Sequence, residues 1–136
     1  MKKLVCICIF FSVGLISCTK VSEQQVRDVM QEYISANSSF ISSMQKAKMT
    51  GQLVRAVDAY SESLKAILPK MKQIEAADSS ISFKKRDFPF KYNDLKIKIE
   101  DQERAISLMI MKASGYAHFP SVKEAFERLT LVFKNR

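Results

Sequence analysis

Apolar residues recur along most of this chain at alternating spacings of three and four, the period of a helix rather than of a strand. The first stripe runs Val26, Met30, Tyr33, Asn37, Phe40, Met44 and Ala47, and only Asn37 interrupts it. It predicts a helix over about 22–49. Ser22-Glu23-Gln24-Gln25 has the form of a capping box, with Val21 and Val26 placed to clasp across it. A second, unbroken stripe, Leu53, Val57, Tyr60, Leu64, Ile67, Met71 and Ile74, predicts a helix over about 51–77 with Thr50 as its cap. Pro69 withdraws one amide from that ladder and predicts a kink. Leu95, Ile99, Gln102, Ile106, Met109 and Ala113, followed by Tyr116, predict a third helix over about 93–114, closed by Gly115. Its first turn, Leu95-Lys96-Ile97-Lys98-Ile99, alternates like a strand, but no second strand is there to pair with it. Another capping box, Ser121-Val122-Lys123-Glu124, opens a fourth helix over about 122–134, with Val122, Phe126, Leu129 and Phe133 facing inward.

Four amphipathic helices joined by two short turns and one long connection predict an all-α domain, an antiparallel up-down-up-down four-helix bundle with a short fourth helix. The first two helices would each be ~40 Å long and the fourth only ~20 Å, so one half of the bundle is left with an open groove. The long connection, 78–91, lies at that uncovered end and interleaves Phe83, Phe88 and Phe90 with Lys84, Lys85, Arg86 and Lys91. The phenylalanines are expected to plug the groove, because three buried aromatics contribute strongly to a small core. The alternative lays them against lipid, with each basic group worth ~1 kcal/mol near anionic headgroups.

Ahead of the first helix, Met1-Lys2-Lys3 precedes an apolar run from Leu4 to Ile16, which has the charged and hydrophobic regions of a secretory signal. The run is shorter than the ~20 residues a spanning helix needs. Its end, Leu15-Ile16-Ser17-Cys18, resembles the lipobox of bacterial lipoproteins. The resemblance covers the first 18 residues. It implies that 1–17 is a cleaved signal peptide, that the Cys18 thiol takes up diacylglycerol, and that the freed amine receives a further acyl chain such as palmitate. Two or three chains make a stable anchor where one does not. In enteric sorting an Asp after the cysteine retains a lipoprotein in the inner membrane; Thr19 stands there instead, so the resemblance implies the outer membrane where a cell has two. The remaining 18–136 forms a single domain that loosely resembles small helical lipoproteins of unknown function. A more specific likeness is to the pilotins, which escort secretins and clasp a partner helix in a groove.

This address changes how the composition reads. Cys6 and Cys8 leave with the signal and Cys18 is acylated, so no thiol remains for a disulfide, metal site or nucleophile. The net charge of +8, or +6 without Lys2 and Lys3, would suit phosphates, but an exported lipoprotein rarely meets nucleic acid, and none is expected as a partner. Phosphate loops, Gly-x-Ser-x-Gly elbows and His-Glu-x-x-His motifs are missing from the sequence, and Glu100, Asp101 and Glu103 sit among Lys96, Lys98 and Arg104 as a solvated, salt-bridged face. An enzyme is not expected.

Tyr33, Asn37 and Gln102 fall at neighbouring levels of the seam, either as a small-ligand pocket or, preferably, as buried polar groups that fix register. His118 is the only histidine; pairing with Met30, Met44, Met49 or Met109 would be needed for a haem carrier, and its place in a turn argues for a surface role. No metal and no cofactor beyond the covalent lipid on Cys18 are expected. The leading expectation is a non-enzymatic envelope lipoprotein, a protein-interaction or structural component with an unidentified protein partner. A small-ligand or haem carrier and a pilotin-like escort are the alternatives.

Overall fold

The computed structural model describes residues 20–135, so the signal peptide and Cys18 lie outside the described residues. Within them the chain is an all-α four-helix bundle. Its helices are α1 (Glu23–Lys46), α2 (Thr50–Ala77), α3 (Asn93–Ala113) and α4 (Pro120–Lys134), with 3-10 turns at Phe90–Tyr92 and Ser114–Tyr116. α1 begins at the predicted capping box: the Ser22 hydroxyl accepts from the Gln25 amide, and the Gln25 side chain accepts from the Ser22 amide. The other predicted caps are corrected. Met49 and Phe119 are the N-caps of α2 and α4 and offer no side-chain hydrogen bond; Pro120 opens α4 as its first residue, where a missing amide loses nothing. At the end of α3 the chain passes through Ser114–Tyr116 with Gly115 at ordinary negative φ, so no left-handed glycine closes that helix.

α1 and α2 form the spine. α1 packs against both α2 and α3, while α4 packs against α2. Because α1 serves two neighbours its buried face is wide, with Val29 and Ile34 joining Val26, Met30, Tyr33, Asn37 and Phe40. α2 buries all seven stripe residues together with Ala56 and Ser61. It is one helix throughout, with Pro69 on its exposed side, where water can satisfy the Lys65 carbonyl that the proline leaves without an amide. α3 buries Leu95, Ile99, Ile106 and Ala113, while Ile97, the residue that made its first turn look strand-like, is half exposed. In α4 the inward face is Val122, Ala125, Leu129 and Val132; the predicted Phe126 and Phe133 are only half-buried along its edge. The Phe126 and Phe133 rings are packed against the core from its edge. Phe133 meets the Tyr60 ring edge-on at 6.4 Å, and Tyr60 stacks on Phe40 at 4.4 Å.

Contacts between helices fix their direction. Arg27 reaches Asp94 at 3.4 Å, and Gln102 donates to Ser38 at 2.7 Å, so α3 runs parallel to α1. Arg128 pairs with Asp58, and the end of α4 lies beside Leu68, Pro69 and Lys72, so α4 runs parallel to α2. The start of α1, the end of α2 and the start of α3 therefore gather at one end of the bundle, hereafter the base. The turns between α1 and α2 and between α3 and α4 make the distal end.

The end of α4 lies beside Leu68 and Lys72, short of the end of α2, and the 78–92 segment links the end of α2 to α3. Ser82 and Asp87 exchange backbone hydrogen bonds of 2.7 and 2.9 Å as an isolated antiparallel bridge, closing a small hairpin. Ile81, Phe83, Phe88 and Tyr92 are buried, and the Phe83 and Phe88 rings meet edge to face at 5.2 Å. The Phe83 amide donates to Glu75 at the end of α2, so the hairpin is seated on that helix. Phe90 does not join this plug: it is 90% exposed, and Tyr92 takes the third aromatic position in the core.

Candidate functional site

Charged and polar side chains gather at the hairpin against α3, in the seam between helices, and at the base. At the first, Arg86 sits at φ 56°, the left-handed region, the one such non-glycine residue described. That conformation costs ~1–2 kcal/mol for an L-residue, and here it turns the guanidinium toward Glu103 of α3. Glu103 also accepts from the Tyr33 hydroxyl of α1 at 2.7 Å. One carboxylate thus joins hairpin, α3 and α1. Burial lowers the Arg86 pKa, but the hydrogen bond and charge of Glu103 outweigh it and hold the pKa above its ordinary value. Beside this junction lies an open concavity of about 680 Å³ lined by Arg86, Glu100, Glu103, Arg104, Ser107 and Leu108.

Glu103 corrects the reading of Glu100, Asp101 and Glu103 as one solvated face. Its side chain is 15% exposed, against 37% for Glu100 and 62% for Asp101. The spacing held the signal, since position 103 is four residues after Ile99 and three before Ile106, on the buried stripe itself.

The seam residues are engaged with protein partners. Tyr33 donates to Glu103, Asn37 accepts from the Tyr60 hydroxyl at 2.7 Å, and Gln102 donates to Ser38 and to the Ile34 carbonyl. The Asn37 Nδ2 and Gln102 Oε1 atoms are buried without a hydrogen-bond partner. None of the three residues lines the concavity beside Arg86, and the bonds run from α1 to α2 and from α1 to α3, as register-fixing contacts would.

His118 is exposed in the distal turn, with Nδ1 3.1 Å from the Gly115 carbonyl and its ring 4.2 Å from that of Phe119. Of the methionines that a haem would need, Met30 is fully buried near the base, Met49 is 65% exposed, and Met44 and Met109 are half-buried. Met30 and His118 lie toward opposite ends of the bundle. No cluster of three or more His, Cys, Asp or Glu side chains suited to a metal occurs among the described residues, and none of the described helices is long and apolar enough to cross a membrane.

At the base, the Lys91 carbonyl accepts from Arg27, and the Lys91 ammonium lies 3.5 Å from Glu23. The Arg27 and Lys91 cations stand 5.6 and 5.1 Å from the centre of the buried Tyr92 ring. Glu23 is held below its ordinary pKa chiefly by the hydrogen bond from Arg27, and Asp78 chiefly by that from the Ser80 hydroxyl, with the charges of Lys91 and Lys20 adding to the second shift. Lys20, Asp78 and Lys91 therefore share this end. Arg86 does not: it pairs with Glu103, nine residues beyond Asp94 and so ~14 Å from the base along α3, and its guanidinium also donates to the Lys84 carbonyl.

Large apolar side chains are also exposed elsewhere. Leu108 (60%) and Met111 (69%) stand on the outer side of α3, and Tyr116, Phe119 and Met49 are exposed at the distal turns. α3 is open there because α1 is its principal helical neighbour and α4 lies against α2. The chain matches no protein-family model, no curated protein and no solved structure.

Proposed function

We propose that this chain is a non-enzymatic envelope lipoprotein, anchored through lipid on Cys18, whose bundle binds another protein with the outer side of α3 and the distal end. The anchor rests on Leu15-Ile16-Ser17-Cys18 and the apolar run before it. The observation that carries the partner is the exposure of Leu108 and Met111, on the side of α3 away from its packing face and well above the base. An apolar centre beside the charged concavity of Arg86, Glu100 and Arg104 has the make-up of a protein interface, apolar within and polar at the rim. Retention at the outer membrane follows from Thr19 in place of Asp by the same resemblance.

A photo-crosslinker at Met111 in the lipidated protein, probed in its native envelope, should give one discrete adduct. The adduct should vanish in Leu108→Glu while the helical circular dichroism stays unchanged. A mass lacking acyl groups on Cys18 would sink the anchor. A Met111 crosslink that is diffuse, or indifferent to Leu108→Glu, would sink the partner surface.

A further inference from the structure

Phe90 is the most exposed of the large apolar residues described, yet it is held in a fixed place. Phe88 and Tyr92 on either side of it are buried, the Tyr92 amide donates to the Pro89 carbonyl in the 3-10 turn, and Arg27 holds the Lys91 carbonyl. A ring fastened outward in this way forgoes the burial that a neighbouring apolar pocket would supply. Its position says what can supply that burial instead. Phe90 precedes the first turn of α3 at the level of the first turn of α1, the end where the chain enters the bundle at Lys20. Lys20 is two residues from Cys18, a span of at most ~7 Å.

We infer that Phe90 inserts into the interfacial layer of the bilayer that holds the Cys18 acyl chains, setting the bundle upright on its base; this rests on the lipid-anchor reading above. The contact is apolar rather than electrostatic. Around Phe90 the charges alternate in sign and pair off, Lys91 with Glu23, Arg27 with Glu23 and Asp94, and Lys20 with the field of Asp78. Of the basic run 84–86, Arg86 is tied to Glu103 ~14 Å up α3 from the base, beyond the ~5–10 Å that interfacial insertion extends. A zwitterionic bilayer is therefore sufficient, and neither salt nor anionic lipid governs the contact.

The chain contains no tryptophan, which makes the test direct. Full-length lipidated protein carrying Phe90→Trp, and separately Leu108→Trp, is reconstituted into phosphatidylcholine vesicles with or without brominated acyl chains. The Phe90→Trp emission should be blue-shifted and lose most of its intensity to brominated lipid, equally at low and high salt, while Leu108→Trp is unaffected. Emission from acylated Phe90→Trp protein that resembles water-exposed tryptophan overturns this inference and leaves the anchor standing. Quenching that disappears at high salt overturns it in favour of the charges. A blue shift without quenching overturns it in favour of a second copy of the chain covering the base. Protein that carries no acyl group overturns the anchor and this inference together.

Discussion

Arg86 shows how much one residue can be asked to do. Its backbone is strained and its guanidinium ties the hairpin to Glu103, so two contributions of opposite sign meet at a single position. Replacement by Ala or by Gly removes the guanidinium equally, but only Gly tolerates a positive φ without penalty. Arg86→Gly should therefore be more stable than Arg86→Ala by about 1 kcal/mol in urea unfolding, although both fall below the native protein. Equal stabilities would mean that the backbone relaxes in the variants. Neither the strain nor the Glu103 contact was legible beforehand, because Lys84-Lys85-Arg86 reads as three equivalent cations until the Ser82 to Asp87 bridge turns one of them inward. Asn37 was easier. A lone amide on an otherwise apolar stripe is conspicuous, and its bond to Tyr60 accounts for its place between α1 and α2.

Among the elements, α1 and α2 were nearly complete in the sequence, because each buries one continuous stripe whose large residues outnumber its exceptions. α4 was legible as a helix and in half of its facing: the spacing of Val122, Phe126, Leu129 and Phe133 found two of the buried positions, while the other two are Ala125 and Val132. The 78–92 segment was legible only as a group. Three phenylalanines spaced among cations look alike on paper, and which of them is buried depends on a hairpin that no periodicity announces. The consequence is measurable. Phe83→Ala should cost about 3–5 kcal/mol, the usual penalty for emptying a buried aromatic site, whereas Phe90→Ala should stay within ~0.5 kcal/mol. Chemical denaturation of both variants checks this, and a comparable loss at Phe90 would contradict its outward placement.

For the molecule as a whole, the base depends on charge pairing as well as packing. Glu23 and Asp78 both have pKa values below their unfolded-state values, so the stability they lend is present above the ordinary carboxylate range and is lost as pH falls through the depressed values. The urea midpoint should hold steady from neutrality down to that range and decline below it. Glu23→Gln should decline less steeply, because one of the linked protons is gone. A midpoint equally acid-sensitive in both proteins would show that other carboxylates dominate.

The α1–α2 spine bears on how such a chain comes into being. Residues 23–77 hold two mutually packed helices that are adjacent in sequence, so their closure involves only a short turn and little loop entropy. A polypeptide released N-terminus first can pair these two helices before α3 and α4 arrive, and each later helix then docks onto a separate face already made. The hairpin at 82–87 gains both its seat on Glu75 of α2 and its tether to Glu103 of α3 only once α3 has docked beside α1.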